Sequence, residues 1–290
     1  MSKPPFVALP AGAEALRIET PRGAFAALRA GRPVHGTALL LPGFTGSKED
    51  FIALLAPLAA AGYRVVAVDG RGQYETDGPD DEAAYAQDEL AQDVLALAAA
   101  LTAPGDPPPH LLGHSLGGHI ARAAVLRADP RTFSSLTLLS CGPGIVCDEQ
   151  QSRAKLLGDA LTKYDMESVW QAIRAFDPPE APDAGTSAEV DDFLHRRWLG
   201  TSPAQLIATG RQLCEEPDRT AELAALPLPV HVLTGASDYV WPVTQMDGMA
   251  RRLGARRTVV DGADHSPNVD RPAETAAALA AFWSAGPAAR

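Results

Sequence analysis

The 290-residue sequence predicts an α/β fold, a mostly parallel sheet covered by helices on both faces. Short apolar segments of strand length alternate with longer helical patterns along most of the chain, which is typical of parallel sheets. Residues 37–41 and 64–68 are almost wholly apolar, as expected of strands that are buried on both faces. Glycine and proline punctuate the boundaries between these segments.

The first half of the chain opens with two weak strands, 16–19 and 25–29, around the turn at 21–23. Ser47 and Asp50 resemble a helix-start box ahead of an apolar helical pattern that ends at Gly62. The remaining segments up to the middle of the chain alternate in type. They are strand 64–68, a polar loop at 73–85, helix 86–102, strand 110–112, a helix after residue 115 and strand 136–140.

The alternation stops at Gly142 and resumes with strand 230–234. Between them the sequence shows helical stretches and a Pro/Asp/Gly-rich loop at 177–187, without a convincing strand. The helical stretches are 156–161, 169–176, 189–199 and 203–216. After the resumed strand come a helix to Leu253, strand 257–260 and a last helix at 272–283. We expect residues 1–141 and 228–290 to form one core domain. Residues 142–227 should form a helical cap over the carboxyl edge of the sheet, where open α/β sheets bind ligands.

Composition excludes several classes of protein. A net charge of −11 and a pI near 5.1 argue against nucleic-acid or anionic-membrane partners, which require basic patches. Three cysteines without a C-x-x-C pair indicate neither a disulfide framework nor a zinc site and fit a reducing, cytoplasmic environment. Of these, only Cys141 merits a test of reactivity.

The N-terminus lacks a signal-peptide pattern, and no apolar stretch is long enough for a membrane span. No nucleotide or metal motif is present, so no cofactor is expected.

The segment Gly113-His114-Ser115-Leu116-Gly117 has the G-x-S-x-G pattern of a nucleophile elbow. Apolar residues precede it, and a helical apolar pattern follows it until Asp129-Pro130. A strand, a tight glycine turn and a helix are the context that this motif requires. We therefore expect Ser115 to be a nucleophile at the carboxyl end of a strand.

A serine hydroxyl needs a base, normally histidine, that is oriented by a carboxylate. Of seven histidines, His265 lies in a loop after the last strand, at the same sheet edge as Ser115. Asp238 follows strand 230–234 and suits the carboxylate position. Asp264 adjoins the histidine and should point elsewhere, while Asp261 is a weaker alternative. The order Ser115, Asp238, His265 is the order expected of α/β hydrolases.

These motifs together resemble the α/β-hydrolase fold superfamily over nearly the whole chain. The resemblance implies an eight-stranded sheet with one antiparallel strand near its start. It also implies two oxyanion donors, the backbone N–H groups of Leu116 and Phe44. The family often has His-Gly before the second donor, whereas this chain has Pro42-Gly43, which leaves the N–H of Phe44 in place.

The resemblance implies a serine hydrolase that cleaves a small or medium, largely apolar carboxylic ester through an acyl-enzyme, with no metal or cofactor. Carbon–carbon bond hydrolases, lactonases, amidases or iminopeptidases and haloperoxidase-like perhydrolases share the triad and stay open. A non-catalytic binding protein on this fold is a further alternative. Serine at position 115 excludes relatives with an aspartate nucleophile.

Aromatic residues of the cap and its edge suggest an apolar pocket or simple packing; they are Trp170, Phe176, Phe193, Trp198 and Trp241. Cap acids that an iminopeptidase would need are available in Glu180, Glu189, Asp191 and Asp192. The oligomeric state is not indicated.

Overall fold

A computed structural model describes residues 2–176 and 187–285, and the side chain of Phe176 is outside that description. Its eight strands form a single sheet in the order β1-β2-β4-β3-β5-β6-β7-β8. The strands are β1 (Ala13–Thr20), β2 (Gly23–Ala30), β3 (Gly36–Leu41), β4 (Tyr63–Val68), β5 (His110–His114), β6 (Ser135–Leu139), β7 (Val230–Gly235) and β8 (Arg256–Val260). β2 pairs antiparallel with both of its neighbours, and the pairs from β4 through β8 are parallel. The predicted fold class, including one antiparallel strand near the start, is confirmed.

The central strands are buried on both faces because alternate side chains point into two separate apolar layers. The helices of the core are α1 (Ile52–Ala60), α2 (Gln87–Leu101), α3 (Leu116–Arg127), α9 (Val243–Leu253), α10 (Pro267–Asp270) and α11 (Pro272–Trp283). Leu39 and Leu111 pack into the layer that contains α2 and α3, while Leu40 and Leu112 pack into the layer of α1 and α11. No helix within the described ranges is long and apolar enough to cross a membrane.

Within the described residues, five helices lie between β6 and β7. They are α4 (Asp148–Leu161), α5 (Met166–Phe176), α6 (Ala188–Gly200), α7 (Pro203–Glu215) and α8 (Thr220–Ala224). Helices α4 to α7 supply the buried residues of a small apolar cluster centred on Trp170, Phe193 and Trp198. Phe44 and Tyr74 of the core also pack against this cluster, whereas Leu223 of α8 belongs to the core. We call the five helices the insertion. Residues 177–186, most of the predicted loop at 177–187, lie outside the described part of the chain.

The structure differs from the sequence predictions in several local features. Ser47 makes no helix-capping hydrogen bond; its hydroxyl donates to Glu49 Oε2 (2.6 Å) ahead of a 3₁₀ helix at Lys48–Phe51. The polar stretch 73–85, predicted as a loop, ends in a second 3₁₀ helix at Glu82–Tyr85 whose Tyr85 is fully buried. Two short helices, α8 and α10, were not predicted.

Candidate active site

Ser115 lies on the sharp turn between β5 and α3, at the carboxyl edge of the sheet. Its backbone has φ 53° and ψ −122°, an unfavourable conformation for a residue with a Cβ atom. The N–H of Ser115 donates to Leu139 O at 2.9 Å, and its own C=O accepts from Gly118 N at 2.8 Å. Hydrogen bonds on both sides thus hold the strained turn and fix the direction of the hydroxyl-bearing side chain.

The two glycines of the elbow have no room for a side chain. A methyl group at Gly113 would lie 2.1 Å from Gly117 O. A methyl group at Gly117 would lie 2.5 Å from Pro42 O, which belongs to the neighbouring strand-to-loop segment. Because both obstacles are backbone atoms, the helix packs this closely against the sheet only with glycine at both positions.

The predicted base and carboxylate are in direct contact. His265 Nδ1 lies 3.0 Å from Asp238 Oδ1 and 2.9 Å from Oδ2. The side chain of Asp238 is fully buried, and its Oδ1 also accepts hydrogen bonds from the N–H groups of Val240 (2.7 Å) and Trp241 (3.1 Å). An ionised carboxylate only accepts, so Nδ1 carries the proton and Nε2 presents its lone pair. This is the tautomer that a general base requires.

His114, the residue before Ser115, connects the end of β5 to the loop of His265. Its Nε2 lies 2.9 Å from the backbone O of His265, and the two imidazole centroids are 5.0 Å apart. Burial lowers the pKa of His114 to about 3, so the ring is neutral and donates this bond. The end of β5, next to Ser115, is therefore tied to the loop that carries His265.

The predicted oxyanion loop lies against Ser115. A methyl group at Gly43 would be 3.3 Å from the Cβ of Ser115, which places the Gly43-Phe44 segment beside the serine. Gln73, a residue that the sequence analysis missed, holds this loop: its Nε2 donates to Gly43 O (2.9 Å), and its Oε1 accepts from Gly70 N (2.9 Å). Leu116 is the first residue of α3, directly after the serine. Because N–H groups of the first helical turn lack intrahelical partners, the N–H of Leu116 suits an oxyanion donor.

Neither of the two other candidate acids, Asp264 and Asp261, nor Cys141 has an environment like that of the Asp238–His265 pair. Asp264 is exposed and accepts a hydrogen bond from the Ser237 hydroxyl, and Asp261 is also exposed. Cys141 is fully buried, and burial raises the pKa of its thiol to about 12. A thiol with so high a pKa is mostly protonated at neutral pH, which argues against a reactive role for Cys141.

The aromatic residues of the insertion mainly pack against one another. Trp170, Phe193 and Trp198 are each at most 5% exposed in the insertion's own cluster. Trp241 is fully buried beside His265, and its indole N–H donates to Gly144 O (2.9 Å). Phe176 has no described side chain. Of the named acids, Glu180 lies outside the described residues, Glu189 and Asp192 are exposed, and Asp191 pairs with Arg174.

An eight-stranded, mostly parallel sheet with a serine on a strained strand-to-helix turn is the arrangement that defines α/β hydrolases. Residues 38–278 match the Alpha/beta hydrolase family, and the chain belongs to that family.

Two relatives of known name and one solved structure are similar to this chain. The chain is 29% identical over 216 residues to a 2-hydroxy-6-oxononadienedioate/2-hydroxy-6-oxononatrienedioate hydrolase of Cupriavidus pinatubonensis, which covers 72% of this chain and 71% of that protein. It is 29% identical over 225 residues to a pimeloyl-[acyl-carrier protein] methyl ester esterase of Aeromonas hydrophila, with coverage of 75% and 84%. A crystal structure of a hydrolase from Pseudomonas aeruginosa PA01 has a similar fold, with a TM-score of 0.74, 24% identity and coverage of 94% and 99%. The family and these names support hydrolysis as the general activity.

Proposed function

We propose that this protein is a serine hydrolase that cleaves carboxylic esters through an acyl-enzyme on Ser115. The observation that carries the proposal is the buried Asp238–His265 pair, joined at 2.9 Å and linked through His114 to the strand end that bears the serine. A serine on a strained turn, together with an imidazole that is oriented by a buried carboxylate at the same sheet edge, supplies the nucleophile and the base that acyl transfer needs.

In the proposed reaction, His265 Nε2 takes the proton of the Ser115 hydroxyl as its oxygen attacks the ester carbonyl. The negative charge that develops on the carbonyl oxygen is stabilised by the N–H groups of Phe44 and Leu116. His265 then gives its proton to the leaving alcohol, and the acyl group stays on Ser115. Water, deprotonated by the same imidazole, attacks the acyl-enzyme and releases the acid. Asp238 stabilises the imidazolium at both stages.

We also propose that residues 142–227 act as a cap that shapes the acyl site. The ring of Phe44, on the oxyanion loop, packs against both the core and the insertion's cluster. A methyl group at Gly210 of α7 would lie 3.1 Å from that ring, so α7 lies directly over the loop. Because the surroundings of Phe44 beside the oxyanion loop are apolar, they support a largely apolar acyl group.

Labelling with a fluorophosphonate tests the nucleophile. We expect the wild type to form one covalent adduct on Ser115 and to hydrolyse 4-nitrophenyl esters. Ser115→Ala should lose the adduct and lower kcat by at least about 1,000-fold, because the attacking atom is removed. Circular dichroism of both proteins checks that they are folded.

A folded wild type that forms no adduct would defeat the proposal, and Ser115→Ala with full esterase activity would show that another residue is the nucleophile. A panel of amides, lactones and β-diketones, each run beside an ester of the same acyl group, then decides which bond is preferred. Faster turnover of any of these than of the ester would replace the ester assignment.

A further inference from the structure

Tyr239 is a large exposed side chain in the immediate surroundings of the base. It follows Asp238 directly, and its ring centroid lies 5.4 Å from that of His265. Two other rings approach the imidazole: His114 at 5.0 Å and Trp241 at 6.1 Å. Those two residues are at most 2% exposed, whereas Tyr239 is 58% exposed. Tyr239 therefore presents an open aromatic surface beside an otherwise buried base.

The main chain on both sides of Tyr239 is held in place. Asp238 Oδ1 accepts from Val240 N at 2.7 Å, which closes the turn around residue 239. The backbone O of Tyr239 accepts from the thiol of Cys147 (3.4 Å), and Cys147 N donates to Val240 O (3.0 Å). The segment is thus fixed between the carboxylate of the site and the residue before α4. The main chain that carries the ring is therefore pre-organised, which lowers the ordering cost when a ligand binds there.

The chemistry determines which part of an ester lies beside this ring. The carbonyl oxygen of the tetrahedral intermediate points to the N–H groups of Phe44 and Leu116, while the leaving-group oxygen must receive its proton from His265. The alcohol part of the ester therefore leaves along the histidine side, and the acyl part occupies the side of the oxyanion loop and the insertion.

We propose that Tyr239 is a specificity-determining residue that binds the leaving group, and that the enzyme favours esters whose alcohol part is aromatic. This inference rests on the proposed ester hydrolysis at Ser115. It assigns the alcohol side of the substrate to Tyr239, separately from the acyl side under the insertion. A stacked ring pair explains the preference because offset or edge contacts between rings add to simple apolar burial.

Two acetate esters test the inference, 4-nitrophenyl acetate and 2,2,2-trifluoroethyl acetate, because they share the acyl group and differ in the leaving group. Tyr239→Ala should lower kcat/KM for the aryl ester about three- to ten-fold more than for the alkyl ester. Tyr239→Phe keeps the ring and should stay within about two-fold of the wild type on both. The rate of acetyl-enzyme hydrolysis, taken from burst kinetics, should not change in Tyr239→Ala, because the alcohol has already left.

Val34→Ala is the control, because it also shortens an exposed apolar side chain: Val34 is 71% exposed just before β3, at the amino edge of the sheet and opposite the proposed site. It should behave as the wild type on both esters. Equal losses on the two esters in Tyr239→Ala, or a comparably slowed deacylation, would overturn the inference and show that the ring acts on His265 itself. An active wild type whose ester preference is unchanged in Tyr239→Ala would also overturn it. A wild type that neither turns over these esters nor reacts with fluorophosphonate would defeat the proposed function, and this inference with it.

Discussion

At the scale of single residues, the glycines beside Ser115 set the distance between helix α3 and the sheet. The backbone carbonyls of Leu41 and Pro42 would both lie within 2.6 Å of a methyl group at Gly117. Those two carbonyls directly precede the Gly43-Phe44 segment. Any outward shift of α3 therefore also moves the proposed oxyanion donor relative to the nucleophile.

Gly117→Ala should consequently lower both stability and activity. We expect a loss of about 1–3 kcal/mol in the free energy of unfolding, the usual cost of overpacking. The loss of kcat should be larger than that of a merely less stable enzyme, because the donor geometry changes. Urea unfolding and ester kinetics at a temperature where both proteins are fully folded measure the two effects.

Gly158→Ala provides the control. Gly158 lies within α4, and an added methyl group there would meet nothing within 4 Å. Alanine is favoured over glycine in helices, so this variant should gain up to about 1 kcal/mol and keep its activity. If Gly117→Ala proved as stable and as active as Gly158→Ala, the tight packing of the elbow would be refuted.

Sequence reasoning at this scale succeeds where one local rule is sufficient. The steric need for Gly113 and Gly117 follows from the turn alone, and the sheet-edge argument selects the Asp238–His265 pair that the structure places 2.9 Å apart. The catalytic roles of this pair stay predictions. Gln73 and His114 could not be found in the same way. Their importance depends on where a side chain points across two loops, and no spacing in the sequence encodes that.

At the scale of elements, a helix is predictable from the sequence when it buries one apolar face. α2 and α11 each bury one face, and the sequence predicts both of them closely. α4 begins at Asp148, whereas the predicted helical stretch starts at residue 156. The prediction missed the first turns because they are exposed and carry no apolar pattern; Leu161 is the single buried residue of α4 within the described chain. α8 and α10 span only five and four residues, too few to show a helical period.

The buried ion pair between Arg197 and Asp50 joins α6 of the insertion to the core. Arg197 on α6 is 1% exposed; its Nη1 donates to Asp50 Oδ1 (2.8 Å), and its Nη2 donates to Ser2 O (2.7 Å). Asp50 is itself fully buried in the segment after β3. Arg197→Met would leave the Asp50 carboxylate buried without its partner. We expect a loss of about 3–5 kcal/mol in the free energy of unfolding, together with faster proteolysis within the insertion.

Arg174→Met is the matched comparison, because Arg174 pairs with Asp191 at 3.2 Å while both side chains remain more than 40% exposed. Screening by water limits such a pair, and the variant should lose less than about 1 kcal/mol. The double variant Asp50→Asn/Arg197→Met should recover part of the loss of Arg197→Met, because no unpaired charge stays buried. Similar losses in the two single variants would contradict this account of how the insertion is attached.

At the scale of the whole molecule, the regular alternation of segments predicts a parallel sheet but not its strand order. β3 lies between β4 and β5, and Arg197 pairs with Asp50, which is 147 residues away in the sequence. Such pairings are set by packing between distant segments, and each segment by itself is compatible with several neighbours. The resemblance to a known family supplied the strand number, which periodicity alone could not.

Several histidines are buried as neutral rings within the fold, and this makes the whole molecule sensitive to acid. Burial lowers the pKa of His110 to about 4 and the pKa values of His114 and His231 to about 3. In the unfolded chain, histidine takes up a proton below about pH 6.5. Each depressed pKa therefore contributes stability that is fully present above that pH and is lost as the pH falls toward the folded-state pKa. Asp50 acts in the opposite direction, since burial raises its pKa to about 6.

A difference measurement isolates one histidine from this background. His231 is fully buried near the amino end of β7, and its Nε2 lies 2.9 Å from Thr258 Oγ1. The proposed site lies at the opposite, carboxyl edge of the sheet. Relative to wild type, His231→Gln should lose stability at pH 7, because this hydrogen bond and the ring packing change. Between pH 7 and pH 5 the wild type must lose about 2 kcal/mol through His231, while the variant does not. Urea unfolding at the two pH values should therefore show the stability gap narrowing by that amount. A gap that stays constant would mean that His231 titrates normally in the folded protein.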